Sequence, residues 1–153
     1  MKNIQLTCAH ALVKFLIAQK TLVDGKKVPL FPGVFGIFGH GNVACLGQAL
    51  QENQKELPTW RGHHEQNMAL TGIAYSRAKR RKQIFVATSS VGPGSTNMIT
   101  AAAVALSNRL PILLLPFVSF GVLGPLIHVD PFVPLFISVF EDKSKLKSQL
   151  LLV

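Results

Sequence analysis

Apolar and polar positions change rhythm along the chain, and each change predicts an element. Across residues 7–19, Ala9, Leu12, Val13, Leu16 and Ile17 recur at helical spacing, with Thr7 placed as a cap. Asp24-Gly25 then separates two short apolar runs, the signature of a tight hairpin turn. VFGIF (34–38) is short, apolar and bounded by glycines, which suits a buried strand. Asn42 is placed to cap a second helix, VACLGQALQEN, with Val43, Leu46 and Leu50 on one face. A weaker strand over 58–61 leads into a long helix over about 64–80. The β-branched run IFVAT (84–88) is followed by the loop SSVGPGSTN, an alanine-rich helix over about 96–108, and the apolar strand PILLLP (111–116).

Strands alternating with helices predict an α/β domain, a parallel sheet with helices on both faces, over residues 1–116. Ligands gather at the carboxyl ends of such strands. Here those ends carry FGHGN (38–42), the stretch 62–65 and SSVGPGSTN (89–97), all rich in glycine or small polar residues.

Beyond Pro116 the rhythm fails. FVSFGVLGPLIHVDPFVPLFISVF follows neither a two-residue nor a 3.6-residue period. Residues 110–129 form an uncharged stretch that a hydropathy window would flag as a membrane span, but Pro111, Pro116 and Pro125 argue against one regular helix. A membrane segment is therefore not expected. Residues 117–153 are expected to be an irregular apolar tail outside the domain core, as a displaced reading frame or an aberrant terminus would give.

Composition sharpens that division. The net charge of +9 over 153 residues sits entirely before residue 110, and the remainder is balanced. With 48% hydrophobic and 15% charged residues the chain is not disordered. Its two cysteines, Cys8 and Cys45, form no CxxC and point to a reduced, cytoplasmic setting. The polar, charged opening MKNIQLTCAH does not read as a secretory signal.

Several positions are candidates for chemistry. Arg77, Lys79, Arg80, Arg81 and Lys82 form a basic run suited to nucleic acid or an anionic membrane. No aromatic residues are interleaved for stacking, so the reading favoured is a solvated helix end whose cations meet the dipole, and no nucleic-acid partner is expected. GPGST (92–96) resembles a phosphate cradle yet lacks a P-loop lysine and GxGxxG spacing. His63 and His64 are adjacent, not spaced as metal ligands on one helix face, so no metal site is expected. His40 stands between Gly39 and Gly41 in a ligand-facing loop and is a candidate for proton transfer. Glu65 opens an apolar helix just after a strand. It either complements the helix N-terminus or, if buried, needs a partner.

Taken together and in order, VFGIFGHGN (34–42), GHHEQNMA (62–69), TSSVGPGSTNMITAAAVA (88–105) and PILLLP (111–116) resemble the N-terminal, pyrimidine-binding domain of thiamine diphosphate-dependent enzymes. Within that superfamily, IQLTCAHALVKFL, the short DG hairpin and FGIFGHGNV are similar to the start of hydrolases that open a cyclic 1,2-diketone derived from myo-inositol. The resemblance implies thiamine diphosphate as cofactor, a small cyclic diketone as substrate and a homo-oligomeric parent protein. It also implies that Glu65 hydrogen-bonds N1′ of the aminopyrimidine and sets its tautomer, acting with His40 as the catalytic pair. Gly39, Gly41 and Asn42 would border the reacting end of the cofactor, and Ser89, Ser90 and Gly92 would line the ring pocket.

The pattern departs from the family at two places. The GDG…N motif that holds magnesium and the diphosphate is not among these residues, so no metal site is assigned here. A glycine expected near Asn67 and a histidine near Leu70 are also missing. An inactive N-terminal portion of such an enzyme is thus expected. The competing reading is a non-catalytic α/β binding module assembled or anchored through its apolar C-terminus.

Overall fold

A computed structural model describes residues 5–39, 41–116 and 137–138. Helix α1 (Cys8–Ala18) begins where Thr7 accepts a hydrogen bond from the His10 amide, the cap its position predicts. Strands β1 (Lys20–Val23) and β2 (Lys26–Pro29) form an antiparallel hairpin. At its tip Asp24 and Gly25 both take positive φ, 50° and 77°, the left-handed pair that matches the twist of such a hairpin.

The main sheet contains β3 (Val34–Gly36), β4 (Thr59–Arg61), β5 (Val86–Thr88), β6 (Leu113–Leu115) and β7 (Ile137–Ser138), in the order β4-β3-β5-β6-β7. The first four run parallel, and β7 adds an antiparallel edge. Two helical layers cover the sheet. On one face α1 and α2 (Gln48–Glu52) pack Val13, Leu16, Ala49 and Leu50 against Val34, Val86 and Leu115. On the other, α3 (Glu65–Ala78) and α5 (Ile99–Ser107) pack Ala69, Ile73, Ala101 and Ala105 against Ala87 and Leu114. Consecutive residues of β5 serve opposite faces, as the pleat requires. The α/β fold with helices on both faces is as the sequence predicts.

Two helical expectations need correction. Asn42 does not cap a helix with its side chain, because its own backbone is already helical and the next five residues, Val43–Gly47, form a π-helical turn. The Gly47 amide reaches back to the Asn42 carbonyl at 2.8 Å, which frees the Asn42 carboxamide for another partner. The helix expected over 96–108 is two pieces, α4 (Pro93–Thr96) and α5, separated at Asn97 and Met98. Pro93 starts the first piece in the position where its missing N–H costs nothing.

No helix among the described residues is long and apolar enough to cross a membrane. Of the stretch 110–129 only residues up to 116 are described, so the uncharged window and the irregular tail lie mostly outside the described residues, as does His40.

Candidate functional site

The sheet order places a switch point between β3 and β5. From β3 the chain crosses outward to β4 and then returns to β5 on the other side, the place at which sheets of this kind hold their ligand crevice. Three segments meet there: Gly39, Gly41 and Asn42 after β3, the start of α3 after β4, and residues 89–97 after β5. Beneath them, the Ile37 amide donates to the Thr88 carbonyl at 3.3 Å. The buried Thr88 hydroxyl donates to the Leu115 carbonyl at 3.0 Å. These bonds tie the tips of β3, β5 and β6 into one platform.

Glu65 is the first residue of α3 and only 8% exposed, although a carboxylate ordinarily stays in water. Its partners come from the loop after β5. The Asn97 side-chain amide donates to Oε2 at 3.2 Å, and the Ser90 hydroxyl reaches Oε1 at 3.5 Å. No cation forms an ion pair with it among the described residues. One oxygen is thus held by a good neutral donor, while the other has only a long contact. Gly94 lies over that second oxygen, since a Cβ built there would stand 2.7 Å from Oε1. Having no side chain at Gly94 lets the loop close directly onto the carboxyl.

The other described residues predicted for the site lie on the loops after β3 and β5. Ser89 is fully buried, its hydroxyl 3.2 Å from that of Ser95, which in turn donates to the Ser90 carbonyl at 3.0 Å. Asn42, also buried, turns its amide toward the Ser89 carbonyl at 3.5 Å and so joins the loop after β3 to the loop after β5. Gly39 packs so closely on Ser90 that an added Cβ would meet the Ser90 Cβ at 2.9 Å. Gly41 and Gly92 take positive φ at 79° and 63°. Glu65, Gly39, Gly41, Asn42, Ser89, Ser90 and Gly92 therefore fall on the three loops of one crevice. His63 and His64 are exposed beside it, and no metal-binding cluster occurs among the described residues.

Asn97 and Gly94 are the site residues that motif reading passes over. Both belong to GPGSTN, where glycine and asparagine look like ordinary turn formers. The requirement that a buried carboxyl find a donor is the signal that points to Asn97.

Residues 32–119 match the thiamine pyrophosphate enzyme family at its N-terminal TPP binding domain. The chain is also similar to proteins named 3D-(3,5/4)-trihydroxycyclohexane-1,2-dione hydrolase. The one from Geobacillus thermodenitrificans is 55% identical over 116 residues, 76% of this chain and 18% of the relative. That from Clostridium tetani is 49% identical over 125 residues, 82% of this chain and 19% of the relative. A third, from Listeria innocua, is 50% identical over 124 residues, 81% of this chain and 19% of the relative. The chain thus spans about a fifth of the length of these relatives.

Proposed function

Because the chain belongs to the thiamine pyrophosphate enzymes, matching them through their N-terminal cofactor-binding domain, we propose that its crevice receives the aminopyrimidine ring of thiamine diphosphate. The relatives are named as hydrolases of trihydroxycyclohexane-1,2-dione, and the parent activity proposed here is that hydrolysis, opening the ring to 5-deoxyglucuronate in myo-inositol degradation. The observation that carries the reading is Glu65, a buried carboxyl at the strand tips with only neutral partners.

Gly94 puts no side chain beside Oε1, and Asn97 holds Oε2. Glu65 can then hold a proton at Oε1 and pass it to a ring nitrogen, a task that needs a titrating group and not only a hydrogen-bonding one. Ser89, Ser90 and Gly92 wall the ring side. Gly39, Gly41 and Asn42 form the lip facing the substrate, from which His40 would exchange protons with it. When bound, the cofactor supplies an electron sink for breaking the carbon–carbon bond.

Magnesium and the diphosphate would be gripped by a GDG…N motif, which these 153 residues do not contain. Val43 and Ile99, 58% and 62% exposed, flank Asn42 and Asn97 in the chain and offer an apolar rim on which a second subunit would close the crevice. The cytoplasm, where the exposed free thiols of Cys8 and Cys45 stay reduced, is the setting proposed for it.

The test is a glutamate-to-glutamine change in the Geobacillus thermodenitrificans relative, at the position aligned with Glu65. Turnover is expected to fall by roughly 100-fold or more, the scale of a lost acid–base group, with the diketone KM changed only a few-fold. Activity surviving within about tenfold would overturn the role given to Glu65.

A further inference from the structure

The end of the sheet opposite Glu65 holds a second concavity. Arg77, Arg80 and Arg81 line it from the C-terminal end of α3, and Asn108 and Leu110 line it from the turn after α5. Its volume is about 380 Å³, within the range of small-molecule sites. Along α3, Arg77 lies roughly 18 Å from Glu65 at 1.5 Å per residue, so this is a place apart from the crevice.

A solvated helix end accounts for part of this charge but not for all of it. The C-termini of α3 and α5 together present about one negative charge, half a unit each. Three guanidinium groups line the cavity, and Lys79, Lys82 and Arg109 stand beside them in the chain. The side chains of Arg77 and Arg80 have no hydrogen bond or ion pair among the described residues, while Lys82 lies 3.6 Å from Asp24. Arg77 and Arg80 alone therefore bring more positive charge to the cavity than the helix ends offset.

The turns that end α3 and α5 give the cavity a defined backbone. Arg80, Arg81 and Arg109 take φ of 52°, 62° and 52°, and they are three of the four non-glycine residues with positive φ among those described. Glycine or asparagine would make these turns with less strain. Both turns are Schellman-type helix ends, in which the Arg81 amide donates to the Ser76 carbonyl at 2.8 Å and the Leu110 amide to the Ala105 carbonyl at 2.9 Å, and they fix the backbone from which the cavity's side chains project.

We propose that this cavity binds a small molecule bearing a phosphate or oligophosphate group. Guanidinium forks match phosphate oxygens, and the Asn108 amide and Leu110 would meet the organic body. Among the described residues no aromatic side chain lines the cavity, so unpaired bases find no stacking partner there.

Tripolyphosphate titrated into the 153-residue chain by calorimetry, at constant ionic strength, tests this. Saturable binding is expected, weakened at least about tenfold by the double change Arg77→Gln, Arg80→Gln. It should stay within about twofold of the unmodified chain in Lys14→Gln, Lys55→Gln, which removes the same charge from exposed sites elsewhere. Absence of saturable binding, equal weakening in both variants, or tighter binding of a short DNA duplex at the same salt would each overturn it. Should the arginine variant fail to fold, backbone amide shifts of the unmodified chain decide. Tripolyphosphate must move residues 77–82 and 108–110, and changes centred elsewhere refute the site.

Discussion

Glu65 and Gly94 act as one unit although their numbers differ by 29. The loop after β5 bends over the carboxyl, and a methyl group at position 94 would stand 2.7 Å from Oε1. Gly94→Ala must therefore displace either the loop or the acid. Unfolding in urea is expected to show a loss of about 1–3 kcal/mol, the usual cost of forcing an extra carbon into a packed site. A loss below about 0.5 kcal/mol would mean that the loop yields freely and does not position the acid. Glu65 itself is legible from the sequence, because it is an acidic residue opening an apolar helix after a strand. Its partner is less so. Asn97 is 32 residues away and sits in a loop whose serines, glycines and asparagine satisfy the rules for a turn before any question of a site arises.

At the scale of elements, α1 and α2 are joined by a polar clasp on the exposed side of their shared core. His10 bonds Thr7 at 2.7 Å through Nδ1 and Glu52 at 2.8 Å through Nε2, and the Gln48 amide donates to the other Glu52 oxygen at 2.9 Å. The Gln48 hydrogen bond first, and then that of His10, hold the Glu52 carboxyl below its ordinary 4.5. A carboxyl with a depressed folded value stabilises the fold fully above its unfolded value, and that contribution fades as pH falls through the folded one. Thermal midpoints should therefore drop as the medium is acidified below about 4.5, and Glu52→Gln should flatten this part of the decline. Equal slopes in both proteins would show that the clasp contributes nothing. The same region marks the limit of pattern reading. Val43, Leu46 and Leu50 recur as in an α-helix, yet the Asn42–Gly47 hydrogen bond widens the first turn, and burial of the Asn42 amide under Ser89 is a tertiary demand that helical spacing does not record. The hairpin at Asp24-Gly25 was legible because its turn chemistry is wholly local.

For the whole molecule, alternation of short strands and helices was enough to specify a parallel sheet covered on both faces, since few other arrangements bury such strands. The order β4-β3-β5-β6 was not legible, because the crossover that makes the switch point depends on which edge each strand joins. That order gathers ring-binding loops at one end, while the residues expected to hold a diphosphate are not among the 153. A polypeptide of this length should show no measurable turnover, and with the arginine cavity disabled by Arg77→Gln, Arg80→Gln it should bind thiamine diphosphate no more tightly than about 1 mM, about 4 kcal/mol, with no effect of magnesium on the calorimetric titration. Tighter binding that depends on magnesium would place a grip on the phosphates within these residues.

The parallel strands contribute only three residues each, and every polar side chain assigned to the crevice stands beyond the last rung of the ladder. Replacing those residues removes no inter-strand hydrogen bond and leaves the two apolar layers intact. Substrate preference can therefore drift by changes in the loops while the scaffold is inherited unaltered, which gives this architecture wide evolutionary latitude from a very small frame.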